Sequence, residues 1–174
     1  RAIAYMEKAA REARQHTSWT DPDHSYESAL GAFVSAVMAN HEFQADLAAF
    51  VEPLVDQGRA VSLAQALLKL TSPGIPDIYQ GTELWDLSLV DPDNRRPVDY
   101  ARRRELLLQA TAMAIQPARD VGAVKQHVVR RALATRRQNA EAFLPGSIYT
   151  PLEATGPGAG NILAYARGTS RDPL

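Results

Sequence analysis

Apolar residues recur at helical spacing over much of this chain. Residues 1–15 are rich in Ala, Arg and Glu and are typical of a moderately amphipathic helix. Two later stretches carry apolar residues at the offsets of one helical face. They consist of Tyr26, Leu30, Phe33, Val34, Val37 and Met38, and of Phe43, Leu47, Phe50, Val51, Leu54 and Val55. We predict a helix for each stretch and expect these stripes to lie in the core.

Helix-starting and helix-breaking residues suggest where these helices begin and end. Asp21 is a candidate N-cap with Pro22 at the first helical position. Pro53 should bend or restart the second striped helix, and Gly58 is a plausible stop. A third helix from about Val61 to Leu70 is apolar nearly all round, so we expect it to be buried.

The second half of the chain continues as helices and then changes in character. Helices are predicted at about 99–115 and 121–142, separated by Pro117. From Pro145 onward, apolar and polar residues alternate in two short runs joined by a turn rich in Gly and Pro, which predicts a β-hairpin. The runs are 147–152 and 161–167.

A short apolar run between the two halves carries the candidate chemistry. Residues 75–80 lie between breakers and follow a helix that we expect to be buried, as a strand of a parallel α/β sheet would. A polar loop at 82–99 follows, and in α/β barrels the carboxyl ends of strands face the active site. The loop region combines carboxylate, amide, guanidinium and indole groups, which suit a sugar: the first three pair with hydroxyls and an aromatic ring stacks on a pyranose. The residues that crowd into positions 80–96 are Gln80, Thr82, Glu83, Trp85, Asp86, Asp91, Asp93, Asn94, Arg95 and Arg96.

Composition and charge narrow the function classes only slightly. The net charge of −1 gives no bulk attraction to nucleic acid or membrane, and the chain has no cysteine for disulfides or thiolate metal sites. No apolar run is long enough to span a bilayer, and no signal peptide is visible. The chain begins inside a helix-like pattern without Met, as a partial sequence would. We expect a cytoplasmic protein that needs no metal and no cofactor.

Several motifs resemble one enzyme family. PGIPDIYQGTE is similar to the eighth-strand motif of alpha-amylase superfamily barrels, and GTELWDLSLVDPDNRRPVD resembles the version found in maltooligosyltrehalose synthases. HTSW, DPDHSYE, SLAQALLKLTSPG and YTPLEATG provide flanking matches, so that the resemblance covers nearly all of residues 12–167. It implies that residues 1–144 are the last part of a (β/α)8 barrel with a helical elaboration. Residues 145–174 would then begin a C-terminal β domain, which makes the chain mainly α within an α/β context.

The resemblance also implies an activity. Such enzymes isomerise the reducing-end α-1,4 linkage of a maltooligosaccharide to α,α-1,1 by retaining double displacement. The family's three carboxylates lie on earlier barrel strands, so we assign no catalytic residue here and expect the isolated chain to be inactive. By analogy with the related loop, Asp91 and Arg95 would contact one glucose unit, Gln80 and Glu83 would assist, and Trp85 would stack on a ring. An unpaired lone strand would also invite self-association of the chain.

Each of these assignments has a structural alternative. Asp91 and Arg95 could form an ion pair that stabilises a turn, Gln80 and Glu83 could satisfy backbone groups at a strand end, and Trp85 could fill a core. Another α-glucan hydrolase or glucosyltransferase of the same superfamily would carry a similar loop. A stand-alone helical interaction module is the alternative outside enzymes.

Residues 95–137 hold eleven Lys and Arg against three acidic residues, but they lack the interleaved aromatics of a nucleic-acid surface, so we favour a solvated helix face and expect no nucleic-acid partner.

Overall fold

The structure, a computed structural model, describes residues 1–109 and 122–169. This described part is mainly helical and ends in a two-stranded sheet, which confirms the predicted helical character. The α-helices are α1 (Ala2–Ala13), α2 (His24–Ala39), α3 (His41–Val51), α4 (Val55–Thr71), α5 (Tyr100–Gln109) and α6 (Ala123–Gln138). The strands are β1 (Ile148–Leu152) and β2 (Ala164–Gly168), and short 3-10 helices lie at Glu52–Leu54, Asp93–Arg95, Ala140–Ala142 and Ala159–Asn161.

The chain divides into two compact units. The first contains residues 1–59 and 86–98, and the second contains residues 60–85 and the described residues after 98. No helix in the described part is both long and apolar enough to cross a membrane.

In the first unit, α1 and α2 are joined by the acidic side chain of Glu27, which is 9% exposed. Glu27 on α2 accepts two hydrogen bonds from the Arg11 guanidinium, at 2.7 and 2.8 Å, and one from the Thr17 hydroxyl at 2.7 Å. These donors lower the pKa of Glu27 from 4.5 to about 2, with the Arg11 hydrogen bond as the largest cause. Thr17 is itself buried and also accepts from the backbone N–H of Asp23 at 3.0 Å. The HTSW turn is therefore tied to both helices.

The second unit has a small apolar core between α4 and α6. Leu70 is fully buried and clusters with Val129 and Ala132, and Ile78 packs against this cluster. Arg136 on α6 donates to the carbonyl of Leu70 at 3.0 Å, close to the end of α4. The core thus fixes the end of α4 and the segment that follows it.

The predicted hairpin is confirmed. β1 and β2 pair antiparallel, from Ile148 opposite Gly168 to Leu152 opposite Ala164. The hairpin is held within the second unit by Arg167, whose Nε donates to the carbonyl of Ala142 at 3.2 Å. The proposed domain boundary near residue 144 stays a prediction.

Two predicted helix boundaries are wrong. The N-cap of α2 is Asp23, whose carboxylate accepts from the backbone N–H of Tyr26 at 2.9 Å, and not Asp21. The carbonyl of Asp21 instead accepts from Ser18 N–H in the preceding turn. Gly58 does not stop a helix: α4 begins at Val55 after the 3-10 turn that holds Pro53, and Gly58 lies in its first turns. A glycine ends a helix by adopting positive φ, and Gly58 does not adopt it.

The prediction that the apolar stripes are core is correct only in part. Val34 is the buried residue of α2, α3 has no buried residue, and α4 buries only Ala66 and Leu70. Large apolar side chains on these helices are therefore exposed, among them Phe33, Phe43, Leu47, Phe50 and Val61. Neither unit supplies the neighbouring surface that would cover them, so the expectation that the third helix is buried fails on most of its faces.

The prediction of a strand at 75–80 is wrong for this chain. Residues 75–79 have no regular secondary structure, Gln80 begins a turn, and Ile75 is 98% exposed. A strand requires hydrogen bonds to a partner, and the only strand pairing within the described residues is that of β1 with β2. The premise for self-association through this strand is therefore missing, although self-association itself stays a prediction.

The remaining helix predictions are confirmed where the structure describes them. α5 covers the first part of the helix predicted over 99–115, and α6 with the following 3-10 turn covers most of 121–142. Residues 110–115, Pro117 and Val121 lie outside the described residues.

Truncation of Leu70 tests the core of the second unit. Because Leu70 is fully buried, we expect Leu70→Ala to lower the free energy of unfolding by about 2–4 kcal/mol, from lost transfer energy and the cavity left behind. Urea unfolding followed by far-ultraviolet circular dichroism measures this difference. Leu67→Ala on the same helix is the matched control, because Leu67 is 47% exposed and its loss should cost less than about 1 kcal/mol. Equal losses for both variants would contradict the assigned core.

The Glu27 carboxylate should make the first unit sensitive to acid. Because the folded pKa lies below the unfolded value, its stabilisation is present above about pH 4.5 and is lost as the pH falls toward about 2. We expect Glu27→Gln to lower the melting temperature at neutral pH and to flatten the decline of melting temperature between those values. Glu153→Gln, in an exposed loop, is the control and should leave both quantities unchanged. A variant at Glu27 with the full acid dependence of the parent chain would argue against this role.

Candidate functional site

The five predicted sugar-binding residues are divided between the two units. Asp91 and Arg95 lie in the first unit, and Gln80, Glu83 and Trp85 lie in the second.

Asp91 and Arg95 are neighbours, as their spacing predicts. Arg95 is the last residue of the 3-10 turn Asp93–Arg95, and Asp91 lies two residues before that turn. The Nε of Arg95 forms an ion pair with the Asp91 carboxylate. Lys8 of α1 approaches the other carboxylate oxygen at 3.5 Å. The Arg95 side chain is 72% exposed, whereas Asp91 is half-buried. The turn-stabilising ion pair is thus present, and it leaves the guanidinium open to solvent.

Asp93 accepts several hydrogen bonds in this loop, and the sequence analysis did not select it from the polar residues there. Its carboxylate accepts from Nε and Nη2 of Arg1, at 2.8 and 2.6 Å, and from the backbone N–H of Leu89 at 2.8 Å. The side chain is 5% exposed. The Arg1 hydrogen bond is the largest cause that lowers the pKa of Asp93 from 3.8 to about 2. Asp93 is therefore ionised at any physiological pH.

Arg96 closes the same loop from the other side. Its Nε donates to the Asp93 carbonyl at 2.9 Å, and its Nη2 donates to the Ser88 hydroxyl at 2.7 Å. Its guanidinium also lies 3.4 Å from the Asp93 carboxylate. Nothing in the sequence singled out Asp93, because the run DPDNRR shows neither burial nor the contact with Arg1.

In the second unit, Glu83 is engaged by the first helix after the loop. The Nε of Arg103 on α5 lies 3.2 Å from the Glu83 carboxylate, and Nη2 of Arg103 donates to the carbonyl of Gly81 at 2.5 Å. Arg103 therefore ties down the turn at 79–85. Glu83 is thus paired with Arg103, Gln80 is exposed in the same turn, and their contacts with sugar stay predictions.

Trp85 is half-buried beside the start of α6. The ammonium of Lys125 lies 6.0 Å from the indole centroid, within cation–π range. Gly122 precedes α6 with φ of 99°, and a Cβ at this position would lie 2.8 Å from the Cα of Leu84. Only glycine fits this approach. Gly122 is a second residue that the sequence analysis missed, and a glycine at a helix start was its only signal.

A concavity of about 790 Å³ lies next to Glu83 in the second unit. It is lined mainly by α6, including Gln126, His127, Arg130 and Arg131. Gln126 donates from Nε2 to the carbonyl of Arg103 at 2.9 Å, and its buried Oε1 has no partner among the described residues. Within those residues, no three His, Asp or Glu side chains converge as a metal site would require. The described part offers hydrogen-bonding groups for a polar ligand, and no recognisable catalytic constellation.

Comparison with known proteins identifies relatives over nearly the whole chain. A maltooligosyl trehalose synthase of Mycobacterium tuberculosis is 43% identical over 168 residues, which is 97% of this chain and 20% of that protein. The solved structure of maltooligosyltrehalose synthase from Arthrobacter ramosus superposes with a TM-score of 0.85 at 43% identity, covering 95% of this chain and 22% of that one. Another solved maltooligosyl trehalose synthase gives a TM-score of 0.82 at 32% identity with the same coverage. No family model matches.

These similarities confirm the resemblance found in the motifs. In sequence and fold the chain is similar to a C-terminal segment of proteins much longer than itself. Those proteins are described as maltooligosyltrehalose synthases, and the chain spans about a fifth of the length of the relatives it matches.

Proposed function

We propose that this chain is the C-terminal part of an enzyme that converts the reducing-end α-1,4 linkage of a maltooligosaccharide to an α,α-1,1 linkage. The observation that carries the proposal is the 43% identity and TM-score of 0.85 to a maltooligosyltrehalose synthase over 95% of the chain. Two units that leave many large apolar side chains exposed also agree with a segment that has further protein around it.

The placement in a barrel is part of the same proposal. Residues 1–144 would supply the last strand and helices of a (β/α)8 barrel with a helical elaboration, and 145–174 would open a β domain. The β1–β2 hairpin supports the second assignment, since it begins just after the proposed boundary. In the whole barrel, strands that precede this chain would flank residues 75–80 and give them the hydrogen bonds that they lack alone.

The contribution of this chain to the reaction is substrate binding. Cleavage of the α-1,4 bond by double displacement needs a carboxylate nucleophile and an acid, which we assign to segments that precede this chain. Arg95 would donate to sugar hydroxyls and Asp91 would accept from them. Their ion pair uses the Nε donor of Arg95 and leaves its terminal amino groups for hydroxyls. Holding the released glucose is what separates isomerisation from hydrolysis, so contacts to that sugar matter for the product.

Activity measurements on the chain and on the complete protein test the assignment of catalysis. We expect the isolated chain to leave maltopentaose unchanged, because it lacks the nucleophile and the acid, and we expect the complete protein to convert it to a non-reducing product. Loss of reducing ends together with unchanged total glucose identifies the isomerase. Turnover by the isolated chain would refute the placement of catalysis elsewhere.

The same assay separates the alternatives. An increase of reducing ends with the complete protein would indicate an α-glucan hydrolase, and redistribution of chain lengths would indicate a glucosyltransferase. A salt-dependent mobility shift with DNA or RNA, without any effect of maltooligosaccharide, would favour the stand-alone module.

Substitution of Arg95 tests the sugar contact. We expect Arg95→Ala in the complete enzyme to raise KM for maltopentaose about tenfold, or about 1.4 kcal/mol, because one charge-assisted hydrogen bond is lost. Arg102→Ala is the control, since Arg102 is likewise an exposed arginine in an ion pair, with Glu105 at 2.6 Å. An unchanged KM for Arg95→Ala would remove this residue from the site.

A further inference from the structure

The exposed pair of Asp91 and Arg95 is attached to a buried one. Asp93 lies between them in sequence, and its carboxylate is held by Arg1 at 2.6 and 2.8 Å and by Leu89 N–H at 2.8 Å. Arg1 is also bonded to the carbonyl of Leu87 at 3.2 Å. The Arg1 guanidinium at the start of α1 therefore binds both the Leu87 carbonyl and the Asp93 carboxylate of this loop.

We propose that Asp93 is a positioning residue, which sets the conformation of the 3-10 turn Asp93–Arg95 and thereby places Asp91 and Arg95 for substrate. This inference rests on the proposed function of the loop. Asp93 is buried and fully engaged, so it cannot itself contact a sugar. Its effect on substrate must pass through the turn that it starts.

The geometry links the carboxylate to the turn by several routes. The carboxylate bonds Leu89, which lies before Asp91, and the Asp93 carbonyl accepts from Arg96, which lies after Arg95. The residues on both sides of the Asp91–Arg95 pair are thereby fixed to one buried point. The Arg95 side chain, in contrast, is largely exposed, and the Arg95 backbone N–H donates to the carbonyl of Pro92 within this turn.

Replacing the charge while keeping the shape should loosen this arrangement. An asparagine at 93 keeps one carbonyl oxygen but presents an amide to Arg1, so the bidentate pair cannot form. We expect Asp93→Asn in the complete enzyme to raise KM for maltopentaose about tenfold and to leave kcat within about twofold, because it removes binding and not chemistry. Asp56→Asn is the matched control, since Asp56 is 90% exposed and pairs with Arg59 at 3.5 Å.

A double variant separates positioning from a general loss of stability. Because Asp93 acts through the Asp91–Arg95 pair, the variant Asp93→Asn/Arg95→Ala should raise KM by less than the product of the two single effects. Multiplied effects on KM, or a fall in kcat at unchanged KM, would overturn the inference. Should Asp93→Asn not fold, Arg96→Gln takes its place in the cycle, because Arg96 is half-exposed and holds the same turn through the Asp93 carbonyl.

Hydrogen exchange measures the turn without any sugar. We expect the amide of Leu89 to exchange at least about tenfold faster in Asp93→Asn, since its acceptor is weakened. An unchanged exchange rate would overturn the inference. The proposed function fails separately: an unchanged KM in Arg95→Ala counts against the sugar contact, whereas a raised KM in Arg95→Ala with an unchanged KM in Asp93→Asn counts against the positioning alone.

Discussion

The polar loop of the first unit depends on one buried charge. A carboxylate removed from water is costly unless hydrogen bonds replace its hydration, and Asp93 receives two from Arg1 and one from the backbone of Leu89. The charge and the loop conformation are therefore coupled, because in a different loop conformation the Asp93 carboxylate would lose the hydrogen bonds from Arg1 and Leu89. The exposed pair next to it has no such constraint of its own. Within this loop, the buried Asp93 fixes the conformation, and the exposed Arg95 side chain is accessible to a ligand.

In both units, arginine side chains donate hydrogen bonds that connect separate segments of the chain. Arg11 joins α1 to Glu27 of α2, Arg103 holds the turn at 79–85, and Arg136 caps the carbonyl of Leu70. A guanidinium suits these places because its planar fork satisfies a carboxylate or several carbonyls at once and stays charged at any pH. Arg103 and Arg136, which belong to the basic stretch at 95–137, therefore form contacts within the protein. A phosphate backbone would have to compete with those contacts, which weakens the nucleic-acid interpretation of that stretch.

Sequence periodicity located the helices well because it reports one local property, the face that an element turns away from water. It also located the hairpin, where alternation and a Gly-rich turn agree with β1 and β2. It could not decide between Asp91 and Asp93, because burial arises from Arg1, which is 92 positions away from Asp93. The N-cap of α2 moved from Asp21 to Asp23 for a similar reason, since a buried Thr17 fixes the chain just before the helix. Among the site residues, the pairing of Asp91 with Arg95 followed from spacing, whereas the division of the five candidates between two units did not.

The wrong strand and the exposed stripes have one physical cause. An apolar stripe predicts that a face will be covered, and an apolar run between breakers predicts that a strand will be paired, but neither pattern states which segment does the covering or pairing. Residues 75–79 retain one part of the expected arrangement, since Ile78 packs on the Leu70 core while Ile75 is left in solvent. This segment is therefore anchored on one side and exposed on the other. The coil at 75–79 therefore removes the strand as independent support for a sugar cleft, and the proposed placement now rests on the similarity to longer enzymes and on the loop that Asp93 holds in shape.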